Sequence, residues 1–187
     1  SNLASMGIYI FNRKALRDLL NENPNATDFG KELIPIALKE GSSVASYMFD
    51  GYWTDIGDIE SFFEANIELA NDIPNFNLFD NVNRIYTNAR QLPPSKLQGT
   101  TCTNSIISEG CILHAKSIVN SVIGIRARIG ENAVIMNTYV MGNDYYETLE
   151  EMSANAARGI PKIGIGERCY IKNAIIDKNC RIGNDAR

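Results

Sequence analysis

A single histidine, His114, and a single tryptophan, Trp53, stand in 187 residues, and that scarcity removes most metal centres and most histidine-based catalytic schemes. No run of about 18 apolar residues occurs, so no membrane span is expected, and the start shows no signal-peptide pattern. Basic residues are not in excess: the net charge is −4 with both signs mixed, which argues against nucleic acid or an anionic membrane as a general partner. Any anion recognition must therefore be local. The four cysteines, Cys102, Cys111, Cys169 and Cys180, never form a C-x-x-C pair, so neither a zinc site nor a redox motif is signalled. Cys111, Cys169 and Cys180 read as reduced, buried thiols of a cytoplasmic protein.

What is abundant is a beat of six. Ile106, Ile112 and Ile118 stand six apart, as do Val122, Val134 and Val140 with Arg128 in the missing slot. One residue on run Ile107, Leu113 and Val119, then Ile123, Ile129, Ile135 and Met141, and the register resumes at Ile165, Ile171, Ile176 and Ile182. Neither a helix (period 3.6) nor a lone strand (period 2) gives this spacing; a triangular hexapeptide solenoid does, each flat side returning one apolar residue to a shared axis. Gly110, Gly130, Asn132, Gly166, Gly183 and Asn184 suit its corners, because Gly and Asn tolerate positive φ.

Taken in order, residues 3–11 read as a buried strand. Asn12 caps a helix carrying Leu16, Leu19 and Leu20, which Asn23-Pro24 stops. Asp28 precedes a second helical run that Pro35 shortens or kinks and Gly41 ends. Val44 to Phe49 alternates as a strand, and Asp58 caps a helix holding Ile59, Phe62, Phe63, Ile67 and Ala70. Residues 1–70 thus predict the end of an α/β domain, 71–100 a connector tied down at Ile85-Tyr86, and 101–187 an all-β solenoid. Residues 142–161 interrupt the repeat as a loop or short helix. The repeat is still in phase at Arg187 with no capping segment, which points to a chain cut at both ends.

Three places could carry chemistry. Trp53-x-Asp55 before a helix start offers a flat wall for a sugar or base and a carboxylate for Mg²⁺, although on the residues alone a core tryptophan and a turn aspartate are the stronger reading. Ser5 and Asp28 taken singly suit ordinary strand and helix-start positions. Arg126, Arg128, Lys172, Lys178 and Arg181 gather as a phosphate site or form a solvated face. His114 at a coil corner is the one candidate for hexapeptide acyl transfer.

The linked motifs Leu3-Ala4-Ser5-Met6-Gly7-Ile8-Tyr9, Asp28-Phe29-Gly30-Lys31, Gly51-Tyr52-Trp53-x-Asp55-Ile56-Gly57, Leu92-Pro93-Pro94-Ser95-Lys96 and Ile175-Ile176-Asp177-Lys178-Asn179 closely resemble the glucose-1-phosphate adenylyltransferase family. The resemblance implies the end of an α/β nucleotidyltransferase domain followed by a left-handed β-helix. It implies ATP and glucose 1-phosphate as substrates, ADP-glucose and pyrophosphate as products, Mg²⁺ as cofactor and a homo-oligomeric, tetrameric parent under allosteric control. It places Ser5, Asp28, Phe29 and Trp53 at glucose 1-phosphate, Asp55 at the metal, and Arg126 and Lys178 at anionic effectors. The family's Gly-rich ATP loop, first metal carboxylate and substrate lysine lie upstream of the strand that opens this chain, so the polypeptide alone is expected to be inactive, its solenoid serving assembly and effector sensing. Asn143 stands where the family usually has alanine, a change with no evident consequence in the sequence. Other sugar-nucleotide pyrophosphorylases, making GDP-mannose or UDP-sugars, share the two-domain plan and are the alternative.

Overall fold

The computed structural model describes residues 4–187; Leu3, the first residue of the expected opening strand, lies outside them. The chain divides into two units between Trp53 and Thr54.

In the first unit, helix α1 (Arg13–Glu22) starts where the Asn12 side chain accepts from the Lys14 and Ala15 N–H groups. It stops at Asn23, whose amide donates to the Leu19 carbonyl. Asp28 caps a π turn, Phe29–Leu33, which runs into α2 (Ile34–Lys39). The widened turn has a local cause. Pro35 has no N–H, and in a regular helix its ring would strike the carbonyl four residues back. Leu19, Leu33 and Ala37 bury together, with Phe11, Ala26 and Ile36 against them. The strands expected at residues 3–11 and 44–49 are not found among the described residues: residues 4–11, bent at Gly7, and residues 44–49 join no ladder. A strand is defined by its partner, and none pairs with these segments among the described residues. Several of their apolar side chains stay in the open, Ile10 at 99% and Tyr47 at 88% exposure.

The second unit is a solenoid of parallel strands. One side stacks β1 (Lys96–Leu97), β4 (Ile112–Leu113), β7 (Arg128–Ile129), β9 (Gly164–Ile165) and β11 (Arg181–Ile182). A second stacks β2 (Thr101–Thr103) on β5 (Ser117–Val119) and the first half of β8 (Val134–Val140). The third stacks β3 (Ile106–Ile107) on β6 (Val122–Ile123) and the second half of β8. The long β10 (Tyr170–Ile176) follows β8 along both sides. The first coil opens at Lys96 rather than near Thr101. The connector is tied down by Pro93 and Ser95, which bond to Gly110, Ser108 and Cys111, and not by Ile85-Tyr86, which are exposed.

The expected beat of six is only partly kept. Leu113, Ile118, Ile123, Ile129, Ile135, Val140 and Ile165 face the axis, so the inward residue passes from one six-spaced series to the other at Ile118. Equivalent residues of successive coils stand 16 or 17 apart. The step from Leu113 to Ile118 across Ala115-Lys116 is short, and a short step recurs at the corner where one positive-φ residue turns the chain: Asn104, Asn120, Asn137 and Asn173, with φ between 44° and 53°. Asparagine tolerates that conformation. Here it also forms a ladder, Asn120 donating to Asn137 (2.9 Å) and Asn137 to Asn173 (2.8 Å). Inside the same corner, the Ser105 hydroxyl accepts from the Ser121 N–H and the Ser121 hydroxyl from the Thr138 N–H. The buried polar atoms of this corner are thus satisfied coil by coil.

Two additions dress the solenoid. Helix α3 (Ile59–Glu68), read from sequence as the close of the α/β part, packs on β8, Phe62 tilted against Tyr139 at 5.6 Å. Its cap is a reciprocal box between Asp58 and Ser61. The interruption contains α4 (Leu149–Ala157), opened by a second box between Thr148 and Glu151. Cys111 and Cys169 are buried, Cys180 half-buried and Cys102 exposed, all free thiols.

Candidate functional site

In the first unit the extended residues 4–11 bring Ser5 and Tyr9 beside the π turn. The Ser5 hydroxyl stands 3.0 Å from the Tyr9 hydroxyl and accepts from the Gly7 N–H. The Tyr9 ring stacks on Phe29, centroids 6.0 Å apart, and Phe11 tilts against the same ring at 5.8 Å. Asp28 accepts from the Lys31 N–H at 2.7 Å. Gly30 lies so close to the Tyr9 hydroxyl that an added Cβ would sit 3.1 Å from it. Ser5, Asp28 and Phe29, separated in sequence, therefore share one polar and aromatic shelf, with Tyr9 as the residue that sequence reasoning missed. Such a shelf suits a sugar ring and its hydroxyls. Trp53 is 42% exposed, and among the described residues it has no aromatic or hydrogen-bond contact to that shelf.

In the second unit Asp55 lies exposed in the turn before α3 and its carboxylate makes no hydrogen bond or ion pair among the described residues. The neighbouring Asp58 carboxylate is committed to its cap, which holds its pKa below the ordinary carboxylate value through the Ser61 N–H and hydroxyl. Asp55 offers the hard oxygen donor that Mg²⁺ takes, and Mg²⁺ is commonly held by one or two carboxylates with phosphates and water completing the shell. No group of three acidic, histidine or cysteine side chains that could hold a metal occurs among the described residues.

A second constellation sits at the root of the interruption. Asn143 is 3% exposed; its amide donates to the Arg126 carbonyl at 2.9 Å, and the Arg126 guanidinium reaches back to the Asn143 carbonyl at 3.4 Å. The substitution that looked inconsequential in sequence thus closes a buried hydrogen-bond ring. Arg126 also lies over the Tyr146 ring at 5.8 Å, and the Tyr146 hydroxyl donates to the Gly110 carbonyl. Next in the chain, Asp144 accepts from Lys178 Nζ at 2.9 Å and from the Asn179 amide at 2.8 Å. The Lys178 and Asn179 donors hold the Asp144 carboxyl below its ordinary pKa. Arg126 and Lys178, far apart in sequence, are therefore tied to consecutive residues.

Glu147 pins the other end. Its carboxylate is 3% exposed and accepts from the Ile163 N–H (2.7 Å), the Asn155 amide (2.9 Å) and the Arg181 guanidinium (2.6 Å). Burial alone would push its pKa up; the Ile163, Arg181 and Asn155 donors outweigh it and hold it low. Of the five basic residues, Arg126 and Arg128 line one cavity of about 180 Å³ with Tyr145, Tyr146 and Glu147. Arg181 is neutralised by Glu147, and Lys172 lies on β10, on a different side of the solenoid. Asp144 and Glu147 carried a signal in sequence only as the polar stretch after Gly142.

No helix among the described residues is long and apolar enough to cross a membrane. Residues 1–72 match the family described as nucleotidyl transferase. The chain is 46% identical over 185 residues to a wheat (Triticum aestivum) protein named glucose-1-phosphate adenylyltransferase small subunit, chloroplastic/amyloplastic. That alignment takes in 98% of this chain and 39% of the wheat protein, so the chain spans about two fifths of its relative's length. Residues 90–187, more than half of the chain, match the family described as the GLGC left-handed parallel beta-helix domain, and this chain of stacked parallel coils belongs to that family.

Proposed function

We propose that this chain is the C-terminal part of a glucose-1-phosphate adenylyltransferase, which joins glucose 1-phosphate to ATP and releases ADP-glucose and pyrophosphate for glycogen or starch synthesis. The carrying observation is the 46% identity to the wheat protein over both the nucleotidyltransferase part and the solenoid. The shelf of Ser5, Tyr9, Asp28 and Phe29 supports it, because hydroxyl, carboxylate and ring faces together suit a hexose. In this reading Ser5 and Asp28 orient the sugar hydroxyls and Phe29 and Trp53 give it apolar walls. Asp55 is one carboxylate of a divalent metal set. Bound Mg²⁺ would neutralise phosphate charge during in-line attack on the α-phosphorus, and this chain's residues bind and orient the sugar phosphate. The remaining residues of the site come from the part of the protein that precedes these, so this polypeptide alone is inactive.

Arg126 and Lys178 bind anionic effectors, and the solenoid serves the assembly of subunits into a homo-oligomer. We place the protein in the cytoplasm; the wheat relative's name sets that protein in plastids. The test is turnover by the full-length protein with glucose 1-phosphate and each of ATP, UTP and GTP, beside Asp55→Ala. Turnover with ATP alone, lost in the variant, supports the reading. A preference for UTP or GTP moves the protein to another sugar-nucleotide pyrophosphorylase, and full activity of the variant removes Asp55 from the metal.

A further inference from the structure

We propose that Glu32 is a positioning residue for the sugar shelf, acting through Asp28 and Phe29, on the reading of that shelf as the hexose site. Its carboxylate reaches back along the chain: Oε2 accepts from the Thr27 N–H at 2.6 Å and from the Asp28 N–H at 3.4 Å. These are the two backbone donors by which the chain enters the π turn.

The sequence spacing shows why this residue takes the task. At an ordinary helix start the cap is answered by the side chain three positions later, which returns to accept from the cap's own N–H. The boxes Asp58–Ser61 and Thr148–Glu151 are built that way. After Asp28 the third position is Lys31, whose side chain has donors and no acceptor, so a box of that spacing cannot close. The π turn changes the count. The Asp28 carbonyl accepts from both the Glu32 N–H (3.2 Å) and the Leu33 N–H (3.1 Å), and in this widened turn Glu32, one residue further on, reaches past Asp28 to Thr27. The reciprocal cap is displaced by one residue, and the turn that Pro35 widens is the turn that Glu32 closes.

The consequence lies at the shelf. The Lys31 N–H draws only Oδ1 of Asp28 into the cap, at 2.7 Å, and among the described residues Oδ2 makes no hydrogen bond, so it is left for a substrate hydroxyl. The next residue, Phe29, carries the ring that stacks on Tyr9 and meets Phe11. Both groups hang from the backbone that Glu32 holds at its start. Glu32 itself is half-buried and makes no hydrogen bond to Ser5 or Tyr9. Its effect on the sugar is therefore indirect, through the placement of one carboxylate oxygen and one ring, and it leaves the nucleotide side alone.

The test is steady-state kinetics of the full-length enzyme and its Glu32→Ala, Glu32→Gln and Asp28→Asn variants, varying glucose 1-phosphate and ATP in turn, with circular dichroism confirming that each is folded. In Glu32→Ala the KM for glucose 1-phosphate should rise about tenfold, the cost of losing a charge-assisted hydrogen bond that holds the geometry. The kcat and the KM for ATP should stay within about twofold, the signature of lost ground-state binding. Glu32→Gln, which keeps an acceptor oxygen, should recover most of the loss. A folded Glu32→Ala enzyme with an unchanged KM for glucose 1-phosphate overturns the proposal. So do equal rises for both substrates, which mark a general loss of stability, and a Glu32→Gln enzyme as poor as Glu32→Ala, which marks a need for the charge itself. Asp28→Asn separates this role from the reading beneath it. If that variant also leaves the KM for glucose 1-phosphate unchanged, the shelf is not the sugar site and both fall; if it alone raises the KM, only the role of Glu32 falls.

Discussion

Replacing Glu147 by alanine removes the pin that holds the interruption to the last coil. Three donors converge on that carboxylate, the Ile163 N–H, the Asn155 amide and Arg181. Removing one partner of a buried ion pair costs about 3–5 kcal/mol, because the remaining charge stays uncompensated. The low end applies here: Arg181 is 27% exposed and keeps the Pro161 carbonyl at 2.7 Å, so water and that carbonyl take over part of the loss. About 3 kcal/mol corresponds to roughly a hundredfold rise in the opening constant. The loss should be local, since the coils do not depend on Glu147 for their stacking. Hydrogen exchange at the Ile163 amide and along α4 reads the opening. Trypsin cleavage after Arg158 and Lys162 reads it a second way, tracking the open population when reclosing outpaces cleavage. Glu147→Gln, which keeps one acceptor oxygen, should fall between. If Ile163 exchanges at the wild-type rate in a folded Glu147→Ala chain, the carboxylate does not pin the interruption and the reasoning fails.

The same pins make the interruption acid-labile. Asp144 and Glu147 both have folded pKa values below their ordinary ones, so their stabilisation is complete above the ordinary carboxylate range and is lost as pH falls through the lowered values. The Asn155 and Asn179 side-chain amide resonances should hold their folded positions to below about pH 4 and move only beyond it; movement between pH 7 and 5 would point to a different titrating group. Asp144→Asn removes the carboxylate that already occupies Lys178, so phosphate should bind at Lys178 several-fold tighter by calorimetry, and unchanged affinity would show that Asp144 does not compete there. Asn137→Ala loses two ladder hydrogen bonds, each about 1 kcal/mol, and leaves alanine at φ 44°, which costs about 1 kcal/mol more. Its melting temperature should drop by roughly 5–10 °C, Asn137→Gly should drop less, and a wild-type melt for both would remove the ladder from the stability of the coils.

The solenoid was legible because its signal is repetitive. Each inward isoleucine repeats the evidence of the last, and glycine and asparagine announce the corners. The exact register was not, because a corner turned by a single asparagine shortens the side, and only the stacking of coils shows that Ile118 rather than Val119 faces inward. Helix caps at Asn12, Asp28 and Asp58 could be read locally, since a cap involves neighbours in sequence. The failed strands at 3–11 and 44–49 show the converse: apolar alternation proposes a strand, but only a partner creates one. At the candidate sites, resemblance pointed to Ser5, Asp28, Phe29, Arg126 and Lys178. Tyr9, Asn143, Asp144 and Glu147 stayed hidden because their roles arise from contacts across coils or across a turn.

The asparagine corner acts as a gauge of chain length. From Asn120 to Asn137 the chain advances 17 residues, and from Asn137 to Asn173 it advances 36, yet both rungs close at nearly the same distance. All the surplus is shunted out after Gly142 and brought back before Gly164, where a glycine again passes close to the coil beneath. The scaffold therefore has a port at which sequence can be lengthened, shortened or rewritten while the stack on either side keeps its count. Within the coils themselves the tolerance is a single residue, since Asn104 to Asn120 takes 16 residues and Asn120 to Asn137 takes 17 while the strands beside them stay in register.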